Sequence, residues 1–167
     1  MQLKRKLSAF AALLTAALFF AAAPAKAQAL VSGGFGSYLS QNQQDTLRFA
    51  YHVTQSSSGS VHGWFLFRAP NTTQLVDVTS VMTLPNGAVA FAGPIVWFNG
   101  TPPQGNVLGR TAFLAFKDNG LGVPDETAGY SVVPVGFPLN LTIQQIVGAI
   151  GAPPVYRPLS TGNIWIH

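Results

Sequence analysis

Between residues 46 and 54 the chain alternates strictly, with Leu47, Phe49, Tyr51 and Val53 set against Arg48, Ala50 and His52. A β-strand, whose side chains point to opposite faces in turn, sorts such a run into one apolar and one polar face. That commits the chain to a sheet with one buried side. The polar segment Gln55 to Ser60 follows, and Val61 to Arg68 then alternates again, with Phe65 and Phe67 on one face and His62, Trp64 and Leu66 on the other. The two runs are predicted to pair as a hairpin. With the loop centred on Ser57, His52 falls opposite His62 and Arg48 opposite Leu66.

The same logic continues down the chain. A third run, Leu75 to Leu84, meets Pro85-Asn86-Gly87, where proline presets the turn angle and Asn-Gly tolerates positive φ, so a tight reversal is expected. Ala88 to Phe98 returns as a fourth strand, with a bulge or edge position expected at Gly93-Pro94 because proline removes a ladder donor. Arg110 to Lys117 is apolar on both faces, the pattern of a strand covered on both sides, and Gly129 to Val135 makes a sixth. Beyond it, Thr142 and Gln145 have capping-box spacing, and Ile143, Ile146, Val147 and Ile150 form a helical stripe. Asn163 to Ile166 is expected as a last edge strand or a cover over an open edge. The fold class is therefore all-β, an antiparallel β-sandwich or partly open barrel of six to seven strands with one short C-terminal helix.

Residues 1–29 stand apart from this pattern. Lys4, Arg5 and Lys6 precede the apolar stretch Leu7 to Ala23, and alanines at 25, 27 and 29 offer cleavage after Ala27 or Ala29, so the segment reads as a secretory signal peptide. A retained anchor is the other reading, but the stretch falls short of the roughly 20 apolar residues a spanning helix needs. The expected location is secreted or periplasmic, with no stable membrane insertion after cleavage. The pI of about 9.8 also belongs to this segment. It holds four of the nine basic residues and no acid, which leaves residues 30–167 with as many acidic as basic groups. That balance gives nucleic acid no basic patch to bind. Residues 30–167 read as a single β-rich domain with its core in 46–135 and a helix and extended tail in 136–167. The chain has no cysteine and twelve phenylalanines, so an aromatic-rich core rather than disulfides is expected to hold it.

The order of an alternating strand, the glycine-led Gly59-Ser60-Val61-His62-Gly63, the turn at Asn86-Gly87 into Ala88-Val89-Ala90-Phe91-Ala92-Gly93, and Phe116-Lys117-Asp118-Asn119-Gly120 with Pro124-Asp125-Glu126 resembles the post-COAP-type β domains of exported bacterial proteins. The resemblance covers roughly Thr46 to Val133. It implies a β fold and secretion, with no established chemistry.

Two constellations are candidates for chemistry. Arg48, His52, His62 and Trp64 share the polar face of the first hairpin, where an indole beside polar groups suits a sugar ring; the competing reading packs Trp64 with Leu66 into a second covered layer. Trp97 is a further aromatic to watch. Two histidines facing each other could also begin a zinc or copper site, which needs a third or fourth ligand. The second constellation is Asp118, Asn119, Asp125 and Glu126, whose oxygens are of the kind calcium takes, although the spacing is not that of an EF-hand and suits a β-turn equally. No other cofactor is expected. There is no cysteine nucleophile, no Gly-x-Ser-x-Gly elbow and no phosphate-binding glycine loop. The expected function is that of an exported non-catalytic β domain with a binding or structural role outside the cytoplasm, with extracellular polysaccharide or a cell-surface component as partner. The alternative is a small secreted hydrolase whose site is assembled from dispersed acids and histidines.

Overall fold

The computed structural model describes residues 28–103, 105–133, 143–150 and 156–167. All but the last two residues of the expected signal segment lie outside the described residues. Among those described, the strands are β1 (Gln28–Leu39), β2 (Thr46–Ser56), β3 (Val61–Ala69), β4 (Thr72–Asp77), β5 (Ser80–Thr83), β6 (Val89–Gly100), β7 (Thr111–Lys117), β8 (Glu126–Val132), β9 (Arg157–Pro158) and β10 (Thr161–Ile166), with one helix, α1 (Ile143–Ile150). The fold is all-β. Every strand pairing is antiparallel, and the order β10-β1-β2-β3-β4-β6-β7-β8-β9, with β5 also on β6, makes one sheet curled into a half-barrel.

The two ends of that order are consecutive in the chain. Only Leu159 and Ser160 separate β9, which pairs with β8, from β10, which pairs with β1. The connection itself is anchored on both sides, since the Leu159 N–H donates to the Asp125 carbonyl at 2.8 Å and the Ser160 N–H to the Ser37 carbonyl at 2.7 Å. One C-terminal segment thus lies along both edges of the sheet, and the edges stay short and paired.

Curling encloses the apolar face. Phe49, Tyr51, Phe65, Phe67, Phe91 and Phe116 are buried together with Val53, Val76, Ile95, Leu114 and Ile164. Tyr51 stacks on Phe116 with ring centroids 4.5 Å apart, and Phe67 on Tyr130 at 4.2 Å. The aromatic core expected from composition is the inside of this barrel. Its few polar atoms are partnered: the Tyr51 hydroxyl lies 3.0 Å from the Ser32 hydroxyl, the Tyr130 N–H donates to the Tyr38 hydroxyl at 3.1 Å, and the Tyr130 hydroxyl donates to Oε1 of Gln74. Burial pushes the Tyr38 phenol up to about 12 and raises those of Tyr51 and Tyr130, because a phenolate would have to shed its water.

The strand apolar on both faces, β7, is covered on both sides as its sequence predicts. Leu114 and Phe116 face the barrel interior, while Phe113 and Ala115 join Ala88, Ala90 and Ala92 beneath Ile143 and Ile146 of α1. Alanines at those positions leave room for the helix, whose two buried isoleucines contribute about 1.5–3 kcal/mol each. The expected cap at Thr142 lies outside the described residues, as do the side chains of Val147 and Ile150.

The strand count differs from the six or seven expected. The run 75–84 is broken at Val78-Thr79 into β4 and β5, which both lie along one edge of β6. The bulge sits at Val96, between the Leu75↔Trp97 and Val76↔Ile95 pairs, rather than at Gly93-Pro94. Gly93 has a different role, since a Cβ there would fall 1.8 Å from the Asp77 carbonyl oxygen where the chains cross closely. β8 begins at Glu126, three residues before the strand predicted from Gly129. The reversal at Pro85-Asn86-Gly87 forms as expected, with the Gly87 N–H donating to the Leu84 carbonyl and Gly87 at φ 81°. No helix among the described residues is long and apolar enough to cross a membrane.

Candidate functional site

Strand register sorts the outward side chains of one half of the sheet into rows that run across the strands. The central row reads Asn163, Phe35, Ala50, Leu66, Leu75 and Trp97 along β10, β1, β2, β3, β4 and β6. Beside it runs Trp165, Gly33, His52, Trp64 and Asp77. On its other side lie Thr161, Ser37, Arg48, Arg68, Thr73 and Asn99. Six strands at about 4.8 Å spacing make the central row roughly 24 Å long. The result is an apolar, aromatic band edged by polar side chains.

This band is open to solvent. Phe35 is 58 % exposed, Trp64 44 %, Leu66 37 %, Val96 48 % and Trp97 47 %. A second layer packed on Trp64 and Leu66 would have buried them, so the packed-layer reading of Trp64 does not describe this face. Trp165 is half-buried because its indole lies over the bare backbone of Gly33; a Cβ there would sit 2.4 Å from Cζ2 of the ring. Beside it, a cleft of about 520 Å³ opens between β10 and the 118–124 turn, lined by Asn163, Trp165, Leu121, Val123, Pro124 and Asp118 among others.

The hairpin register corrects one expectation. His52 lies opposite Trp64, Arg48 opposite Arg68, and His62 opposite Thr54. The loop is centred on Ser58 rather than Ser57, because Gly59 takes φ 86° and the Ser56 N–H closes onto the Ser60 carbonyl at 2.9 Å. A shift of two residues in pairing preserves the faces, so Arg48, His52, His62 and Trp64 still share one side, all exposed. It separates the histidines. Among the described residues no group of three or more His, Asp or Glu side chains is placed to hold a metal ion.

The acidic turn is built for a different task. Asp118 accepts from the Gly120 N–H at 2.8 Å, and Nδ2 of Asn119 donates to the Pro124 carbonyl at 2.9 Å. Asp125 is buried, its Oδ1 accepting from the Asn119 N–H at 3.1 Å and its Oδ2 from the Ile164 N–H at 2.7 Å. Glu126 stands in β8, 3.7 Å from Lys117 across the ladder. Asp118, Asn119, Asp125 and Glu126 therefore serve turn and sheet, and their oxygens do not converge.

Sequence reasoning places Arg48, His52, His62 and Trp64 on one hairpin face and singles out Trp97 without assigning it a face; it does not find Trp165 or Phe35, nor that Arg68 stands opposite Arg48. Finding Trp165 and Phe35 depends on β10 lying next to β1, and the Arg48–Arg68 pair depends on the true register of β3, both of which only pairing reveals. No protein-family model matches the chain, nor does any curated protein or solved structure.

Proposed function

We propose that this chain is an exported, non-catalytic β domain whose outer sheet face binds a polysaccharide or surface component outside the cytoplasm. The observation that carries the reading is the exposure of Trp64 beside His52 on a face that also presents Trp97 and Trp165. Contiguous exposed apolar patches on a single domain mark interaction surfaces. A pyranose ring has C–H-rich faces that sit on an indole and rim hydroxyls that need hydrogen-bond partners, which His52, Asp77 and Asn163 supply around the aromatic rows. The resemblance to post-COAP-type domains points the same way on fold and export.

The hydrolase alternative has less support. Asp125 is committed to two backbone amides, and His52 is separated from Asp77 by Trp64 on the intervening strand. Pull-down on a panel of insoluble polysaccharides, run with Trp64→Ala and Trp97→Ala, tests the proposal. Both rings are exposed, so stability should fall by no more than about 1 kcal/mol while retention falls. Retention on no polysaccharide, or retention indifferent to both substitutions, rejects it.

A further inference from the structure

We infer that the polymer taken by this face is acidic, a polyuronate whose carboxylates are held by Arg48 and Arg68 while its sugar rings lie on the adjacent row of Leu66 and Trp97 and on Trp64. The inference rests on the polysaccharide reading above and specifies its ligand.

Arg48 and Arg68 are direct cross-strand partners on β2 and β3, and both are exposed. Like charges placed opposite each other on a sheet destabilise it. The other cations among the described residues are used elsewhere: Lys117 pairs with Glu126, Arg157 donates to the Leu39 carbonyl, and Arg110 is buried. Neither Arg48 nor Arg68 has a hydrogen-bond or ion-pair partner among the described residues. Two unpaired guanidinium groups side by side, at a cost to the sheet, form a receptor for anions.

What surrounds them identifies the anion's carrier. Arg48 and Arg68 stand two residues along their strands from Ala50 and Leu66, roughly 7 Å, so the guanidinium groups flank the apolar row without covering it. A free anion would need only the cations, whereas a polymer that carries its charge on the edge of each ring uses the apolar row and the cations together. A uronic acid has this geometry, with the carboxylate attached directly to the pyranose. The planar guanidinium fork suits it through paired N–H···O bonds. The one carboxylate in these rows, Asp77, lies on the far side of the apolar row and does not oppose an acidic chain at the arginines.

The test measures binding of the purified full chain to alginate, to the same polymer after reduction of its carboxyl groups to alcohols, and to vesicles of anionic phospholipid. Alginate should bind at least about tenfold more tightly than its reduced form, consistent with loss of a charge-assisted contact. Arg48→Gln and Arg68→Gln should each weaken alginate binding about five- to tenfold and leave the reduced polymer unaffected, and Arg48→Lys should restore part of the loss. Thermal melts of the variants at or above that of the parent would confirm that the fold persists. Equal binding of both polymers with silent arginine variants overturns the acidic assignment and leaves the polysaccharide reading standing. Binding of neither polymer rejects both. Capture by anionic vesicles without alginate binding means that the arginines read a lipid surface, and overturns the inference.

Discussion

Oδ2 of Asp125 accepts a hydrogen bond from the backbone N–H of Ile164 at 2.7 Å, and so the turn before β8 holds the strand that lies along β1. The same carboxylate takes the Asn119 N–H on its other oxygen. A buried carboxylate satisfied by two amides explains why an acidic residue survives at 6 % exposure without an ion pair among the described residues. Asp125→Ala leaves two amides without acceptors, and hydrogen bonds to charged groups are worth about 1.5–3 kcal/mol each. We expect a loss of about 2–4 kcal/mol in urea unfolding and faster hydrogen exchange at Ile164. A loss below about 1 kcal/mol would mean that water replaces the carboxylate easily and that β10 is held by pairing alone.

Because those oxygens are occupied and the chain lacks cysteine, stability should not depend on calcium or on redox state. Melts with EDTA, with added calcium and with dithiothreitol should superimpose. A shift of several degrees on chelation would show that Asp118, Asn119, Asp125 and Glu126 rearrange around an ion.

Alkali should unfold the protein. All four tyrosines, Tyr38, Tyr51, Tyr130 and Tyr156, are raised above the ordinary phenol value, chiefly by burial. Above pH 10 the unfolded chain loses phenolic protons that the folded chain retains, so the unfolded state binds fewer protons and stability falls as pH rises. The contribution is intact below pH 10 and lost through the range up to about 12, where Tyr38 titrates in the fold. Each tyrosine held protonated costs about 1.4 kcal/mol per pH unit in that window. Tyrosinate absorbance should therefore rise together with the loss of β-sheet circular dichroism. Free titration of several tyrosines before unfolding would contradict the buried hydroxyl network.

Phe116 is the centre of the aromatic interior, within 4.8 Å of Phe49 and 4.5 Å of Tyr51 between ring centroids and 1 % exposed. Phe116→Ala removes a ring from a space enclosed on all sides, and such truncations cost about 3–5 kcal/mol. Phe35→Ala, from a ring 58 % exposed on the outer face, should cost less than about 1 kcal/mol. Similar losses for the two would show that the outer ring is part of the packing.

The contrast between these phenylalanines marks what sequence patterning could reveal. Period two in 46–54 and 61–68 gave the inner and outer faces of β2 and β3 correctly, because alternation records burial directly. Turn chemistry located the reversal at Asn86-Gly87 for the same local reason. β1 left no such record. Gly33, Gly34 and Gly36 depress its strand propensity, yet each is small for a nonlocal reason: a Cβ would meet the Trp165 ring, the Asn163 carbonyl or the Thr161 carbonyl. Those partners lie more than a hundred residues away, on the strand that completes the sheet. Half of the candidate face was hidden with them, including Trp165 and Phe35. The registers that bring Arg68 beside Arg48 and Trp64 beside His52 depended on one turn residue, Gly59, taking φ 86°.

The glycines of β1 supply the last prediction, which separates the binding face from the scaffold beneath it. At Gly33 an added methyl meets the edge of the Trp165 indole at 2.4 Å, and the ring can swing outward from a half-exposed position. At Gly36 it meets the Thr161 carbonyl oxygen at 2.4 Å, which is backbone of the paired strand and cannot move without breaking the ladder. Gly33→Ala should therefore cost under about 1.5 kcal/mol while shifting tryptophan fluorescence toward a wetter environment and weakening polysaccharide retention to the extent that Trp165→Ala should. Gly36→Ala should cost about 1–3 kcal/mol, the range for forced backbone shifts, with hydrogen exchange accelerated along β10. If Gly33→Ala proves the more destabilising of the two, Trp165 is a structural clasp between β10 and β1. If it instead leaves stability, fluorescence and retention all unchanged, the indole does not rest on Gly33 and the aromatic row ends at His52.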